Sequence, residues 1–449
     1  MTEEEERITK LRAESVKATL EEPVVSATTF NLEHGERNKS RWDSSGLTMY
    51  YARARCCYLR GSGYGFCRVA RLETSLVWLL VLLLSSPAAF AQRVVNANPT
   101  TADQLSPGLI EGVRQYLTSQ QDSPEEYLVR QFANHDIIFL GEMHGVRQNL
   151  EFLQRLIPRL YTAGVYNLGY EFSRYKDQAK IDRLLSLPSY DPRIANDLLS
   201  EIDLTYVTQE YTDVYKVAWE LNHRLPPGAR RFRIVALNID ESGQTPADAW
   251  GGQRLNIHDQ TNIFWAQVIS KEFLANHEKA LIYSGSGHSF TRFFFQRKQD
   301  HSFSAGNLVH NFIPNRVMTV WLHGDVERKA LTRQIDELVE ASNGVDRPRA
   351  FDTQSTPFGT LPVAISGYVF GKQNCGPFTL ADVADGYIWL ARRTDLTGVR
   401  FIKRFITPAN IARIEFRWRK EHPRSRAYTK EELEEAAADN WQHLQEAWQ

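Results

Sequence analysis

Six short apolar runs, at residues 136–140, 166–172, 232–239, 280–284, 316–322 and 386–391, constrain the fold of this chain most. They are rich in Val, Ile, Phe and Tyr, as strands buried on both faces are. Segments of helical periodicity separate them, at 147–162, 176–187, 208–223, 257–277 and 326–341. In the first, Leu150, Leu153, Ile157 and Leu160 recur on one helical face. Strands joined by helices make βαβ units with right-handed crossovers. The expected fold is therefore α/β, a mainly parallel sheet flanked by helices. In such sheets ligands bind at the carboxyl ends of the strands. Two tail helices are expected, at 408–418 after an N-capping Thr407 and at 430–448 after Thr429. The stretch 343–385 is the least regular and reads as a lid or substrate-binding loop.

Two of the strands end in the same pattern. Gly141-Glu142-Met143-His144 follows Ile137-Ile138-Phe139-Leu140, and Gly285-Ser286-Gly287-His288 follows Ala280-Leu281-Ile282-Tyr283. No third G-x-x-H occurs in the chain. Two imidazoles carried to one sheet edge can converge on a water or a metal ion. Acidic and imidazole groups recur at the other strand ends. Glu171 closes the second run, Asp240 the third, and His323 and Asp325 follow the fifth. Glu and His placed together activate water, one as general base and the other orienting it. Carboxylate and imidazole from several loops instead hold a divalent metal. Arg147, opening the next helix, is a candidate for an anionic substrate group, and Asp240 a candidate for substrate contact. His323 has no matching turn and reads as structural. His135 precedes its strand and lies at the wrong sheet edge. His223, His258 and His277 sit on expected helices and read as surface residues.

Residues 76–84 (LVWLLVLLL) are apolar, follow Arg68 and Arg71, and precede Ala89-Phe90-Ala91. Nine residues are too few to span a bilayer, which needs about 20. The arrangement reads as a signal peptide at 69–91 with cleavage before Gln92. Residues 1–68 then form a leader preceding the true start, and 92–449 a single domain. This implies a periplasmic or secreted protein with no lasting membrane anchor. Three of the four cysteines lie in the leader, leaving Cys375 without an internal disulfide partner. A formal net charge of −1 gives no electrostatic footprint for nucleic acid. A small molecule or peptide is the expected partner. The chain has no G-x-S-x-G elbow, no H-E-x-x-H and no Walker A motif.

The strand–GEMHG–helix opening, the Glu171 strand, the strand–GSGH turn and DVADGYIWL at 382–390 resemble one superfamily. It links erythromycin-esterase-like proteins, haem-binding ChaN proteins and Tiki/TraB metalloproteases. The resemblance covers most of residues 130–395. Its esterase branch implies water activation by Glu142 and His144 with Glu171 and His288 nearby and no metal. That branch has two residues between its Glu and His, where this chain has one. The Tiki branch implies a divalent metal (Mn, Co or Zn) on His144, His288 and a carboxylate, here Glu171. The ChaN branch implies haem, held through a tyrosine such as Tyr170 or Tyr206. The expectation is a hydrolase of ester or peptide bonds using Glu142, His144, Glu171 and His288, with a divalent metal. A haem- or iron-binding protein without catalysis is the alternative.

Overall fold

The computed structural model describes residues 105–120, 122–239, 257–292, 295–297, 300–324, 329–343, 347–363 and 378–448. The leader, the signal segment, Asp240, Asp325 and Cys375 lie outside them. Seven strands form the main sheet: β1 Ile137–Glu142, β2 Asn167–Arg174, β3 Arg233–Asn238, β4 Ala280–Gly285, β5 Val317–Leu322, β6 Arg349–Asp352 and β7 Gly386–Trp389. Their order is β3-β2-β4-β1-β5-β7-β6. All neighbouring pairs are parallel except β6, which runs antiparallel to β7. The fold is α/β, as the alternation of strand and helix patterns requires.

Side-chain alternation along β1 divides the core. Ile138 and Leu140 face a cluster with Leu150, Leu153, Leu156, Ile157 and Leu160 of α3 (Arg147–Thr162) and Tyr211, Val214 and Tyr215 of α6 (Gln209–Arg224). Ile137 and Phe139 face the other side, against Trp265, Val268 and Ile269 of α7 (Ile257–Glu272) and Ala305 and Val309 of α8 (Ala305–Phe312). A third cluster joins α1 (Pro107–Ser119) and α9 (Lys329–Asn343) to Trp321, Phe351, Tyr387 and Trp389. Fully burying each such side chain contributes about 1.5–3 kcal/mol.

Chain direction reverses between β1 and β4. From β1 the chain crosses through α3 to β2, on the far side of β4. From β4 it crosses through α8 to β5, on the far side of β1. Adjacent strands whose connections leave in opposite directions open a crevice at their carboxyl ends. Both G-x-x-H turns open on that crevice.

Three sequence expectations shift. β2 runs on to Arg174, so Glu171 lies inside the strand and not at its end. The irregular stretch contains the antiparallel edge strand β6, which lacks the length and alternation that reveal a strand. The first tail helix, α10 (Ile411–Glu421), begins after Asn410 and not at Pro408. The Asn410 side chain accepts the Thr407 N–H at 2.7 Å and the Thr407 carbonyl accepts the Ile411 N–H, making a turn before the helix. Thr429 does cap α11 (Lys430–Trp448): its hydroxyl accepts the Glu432 N–H and Glu432 accepts the Thr429 N–H. No helix among the described residues is long and apolar enough to cross a membrane.

Candidate functional site

The two turns start side by side, because Glu142 pairs with Gly285 in the β1–β4 ladder and Gly141 with Ser284. Each glycine makes room for the other turn. A Cβ on Gly141 would lie 2.6 Å from Ser289 Oγ and 3.1 Å from Ser286 Cα. A Cβ on Gly285 would lie 2.8 Å from His144 Cε1. Neither approach is open to a larger residue without displacement, so glycine at these places is a packing requirement.

Glu142 continues the inward face of Ile138 and Leu140 and is buried. Its Oε1 accepts His144 Nδ1–H at 2.7 Å and Tyr211 O–H at 3.3 Å; its Oε2 accepts Tyr283 O–H at 3.2 Å. Tyr211 in turn accepts the Gly145 N–H, tying the turn to α6. Burial raises both phenol pKa values well above 10, so both remain donors. The His144 ring packs edge-on to Phe172 and Tyr206, at 5.4 and 5.5 Å between centroids.

Glu171 sits where β2 loses its regular pairing. The β2–β4 ladder stops at Tyr170–Tyr283, and the β2–β3 register slips between Tyr170 and Arg174. Such irregularities re-aim side chains. Glu171 Oε2 accepts the Gly285 N–H at 2.6 Å. Its Oε1 lies 3.9 Å from His144 Nε2 and 3.8 Å from His288 Nε2. These gaps exceed a direct hydrogen bond and suit a bridging water or a reacting atom.

His288 is held differently. Its Nδ1 lies 2.7 Å from Asn262 Oδ1 on α7. Its ring is packed by His258, stacked at 4.9 Å and 23°, and by Trp265 at 4.4 Å. His258, Asn262 and Trp265 fall at i, i+4 and i+7 on one face of α7. His258 therefore packs against the site, with its side chain 35% exposed. Neither it nor Asn262 carries a motif. The signal that would have found them is this polar and aromatic stripe on a helix next to the second turn.

Protonation follows from these partners. Burial disfavours the charged form of His144, but Glu171 and the Glu142 hydrogen bond outweigh it and raise its pKa to about 9. Burial, with His258 and His144 adding to it, lowers His288 well below the ordinary imidazole value. Burial also raises Glu171, opposed by His144 and the Gly285 N–H. The site therefore pairs a charged imidazole with a neutral one across a single carboxylate oxygen.

Other expected residues lie elsewhere. Arg147 Nε donates to the Gly398 carbonyl at 3.1 Å and lies 3.5 Å from Glu210 Oε1, a tie to the C-terminal segment. His323 is buried, with Nδ1 2.7 Å from Tyr387 Oη and Nε2 3.0 Å from Asp336 Oδ1. His135 Nδ1 bonds the Gln131 carbonyl before β1, at the opposite sheet edge. Tyr170 is fully buried and donates its hydroxyl to the Tyr211 carbonyl, so it does not fit as a haem ligand. Among the described residues, no group of three or more His, Cys, Asp or Glu side chains is arranged to hold a metal ion. Of the three side chains expected to share a metal ion, the two imidazole Nε2 atoms lie 3.9 and 3.8 Å from Glu171 Oε1.

No protein-family model matches the chain, and no curated protein matches it. Solved structures to which it is similar include the type III effector HopBA1, at 16% identity and TM-score 0.30, covering 47% of this chain and 87% of that one. A succinoglycan biosynthesis protein is 11% identical at TM-score 0.48, covering 66% of this chain and 98% of that one. ChaN of Campylobacter jejuni, solved with cofacial heme, is 13% identical at TM-score 0.27, covering 46% of this chain and 89% of that one. ChaN is one of the three groups the sequence resembles.

Proposed function

We propose that this chain is an exported hydrolase of ester or peptide bonds, working by general acid–base catalysis at the β1–β4 crevice. The observation that carries the reading is the convergence of two imidazole Nε2 atoms, from oppositely supported rings, on Glu171 Oε1. Titratable groups whose surroundings push their pKa values apart divide the acid and base roles.

His288 Nε2, neutral, takes a proton from water as the oxygen attacks the substrate carbonyl carbon. His144 Nε2–H gives a proton to the leaving oxygen or nitrogen as its bond to that carbon breaks. Glu171 balances the His144 charge and orients the water. Glu142 holds the His144 ring through Nδ1, the part a carboxylate plays in a hydrolytic triad. One proton passes from His288 back to His144 by solvent to close the cycle.

The test is hydrolysis of p-nitrophenyl esters and fluorogenic peptides by the purified full chain, beside His144→Ala and His288→Ala. Each substitution is expected to lower kcat about 10²–10⁴-fold. Turnover unaffected by either substitution, or absent against every substrate of both classes, would overturn the assignment.

A further inference from the structure

Asn262 is fully buried on α7, and its amide orientation is fixed at both ends by backbone groups that have one role each. The Ala305 N–H, which only donates, lies 2.9 Å from Oδ1. The Phe303 carbonyl, which only accepts, lies 2.9 Å from Nδ2. Reversing the amide would set donor against donor and acceptor against acceptor. The remaining contacts then have one reading. Oδ1 faces His288 Nδ1 at 2.7 Å, so that nitrogen carries the proton. Nδ2 has one proton left for its other two neighbours, His258 Nδ1 and the His258 carbonyl, each at 3.0 Å; shared between them, it makes Nδ1 an acceptor, with Asp259 Oδ1 farther off at 3.9 Å.

We propose that Asn262 is a positioning residue that fixes opposite tautomers on the two stacked histidines. His288 carries its proton on Nδ1 and turns the Nε2 lone pair toward Glu171; His258 carries its proton on Nε2. One amide thus decides which nitrogen of His288 faces the crevice. His258 and Trp265, packed against the ring, hold the plane that the amide orients. A histidine with its proton on Nε2 would present a donor to the attacking water and take no proton from it. The catalytic meaning of this assignment rests on the base role proposed above; the hydrogen bonds themselves do not.

The test is ring-¹⁵N NMR of the full chain labelled on histidine, with His288 and His258 assigned by the signals lost in His288→Gln and His258→Gln. The wild type is expected to show a protonated Nδ1 and bare Nε2 on His288, and the reverse on His258. The opposite pattern on His288 would overturn the proposal, and this spectrum needs no Asn262 variant to fold. Asn262→Asp keeps an acceptor at Oδ1 but removes the donor at Nδ2. It should leave the His288 Nδ1 proton in place and move the His258 proton to Nδ1. A His258 pattern unchanged in Asn262→Asp would contradict control by the amide. Asn262→Leu should shift His288 toward the Nε2–H form and lower kcat roughly 10–100-fold with little change in KM; an unchanged His288 spectrum would contradict the proposal. The stated tautomers without loss of hydrolysis in His288→Ala would leave the hydrogen-bond assignment standing and remove the base role. The converse pair of results would remove only the tautomer assignment.

Discussion

The turn after β1 and the turn after β4 share a pattern, a sheet edge and adjacent register, yet hold their histidines in opposite states. The first supports His144 with the Glu142 carboxylate and an aromatic rim of Phe172 and Tyr206. The second supports His288 with the Asn262 amide and packs it with His258 and Trp265. A carboxylate stabilises an imidazolium; an amide oxygen that already accepts a backbone N–H orients a neutral ring without paying for a charge. The repeated G-x-x-H pattern therefore fixes where the two rings stand. Partners brought from α6 and α7 fix what each ring does.

The largest expected effect comes from making the two supports alike. Glu142→Gln replaces the carboxylate by an amide and should drop kcat about 10³-fold, in the middle of the range for a general acid. The His144 pKa should fall from about 9, read by NMR titration of its ring. An unchanged midpoint would mean that Glu142 does not support the charge.

Gly285→Ala attacks the interlock between the turns. Its new methyl would stand 2.8 Å from His144 Cε1, so the ring must move. Misplacement by about an ångström costs on the order of 10² in rate. The expected result is that loss together with a fall in stability of about 1–3 kcal/mol from overpacking. Full activity would show that the close approach of the two turns is not needed.

Tyr283→Phe removes one of the hydrogen bonds on Glu142 and leaves the Tyr211 donor in place. Stability should fall by about 1 kcal/mol in urea unfolding, with a rate loss below about tenfold. A loss as large as that of Glu142→Gln would make Tyr283 part of the acid itself.

The comparison also bears on stability against pH. Folding raises the His144 pKa from 6.5 to about 9, so the folded state binds more protons in that window. Its contribution is fully present below pH 6.5 and is lost as pH rises through about 9. Thermal midpoints should decline over that window more in the wild type than in His144→Gln. Parallel curves would show that the pair carries no stability.

Much of this architecture was legible in the sequence because it rests on local pattern. The runs at 136–140 and 280–284 are short, apolar and followed by glycine, and they give β1 and β4. Leu150, Leu153, Ile157 and Leu160 announced the buried face of α3. Glu142, His144 and His288 were legible as candidates because strand ends deliver side chains to one edge; Glu171 stands within β2, whose register slip brings it to the other three. Edge strand β6 was not legible, since four residues show no alternation. Nor were Asn262 and His258, whose roles depend on which face of α7 meets the second turn. Arg147 looked free in the sequence because its partner, Glu210, stands 63 residues away on α6.

The most direct test is an NMR pH titration of the His144 and His288 rings in one sample of the wild-type chain. The account predicts that His144 stays protonated through neutral pH with a midpoint near 9, while His288 stays neutral down to well below the ordinary imidazole range. Two histidines titrating together near 6.5 would contradict it, because the acid and base roles would then have no physical basis for their separation.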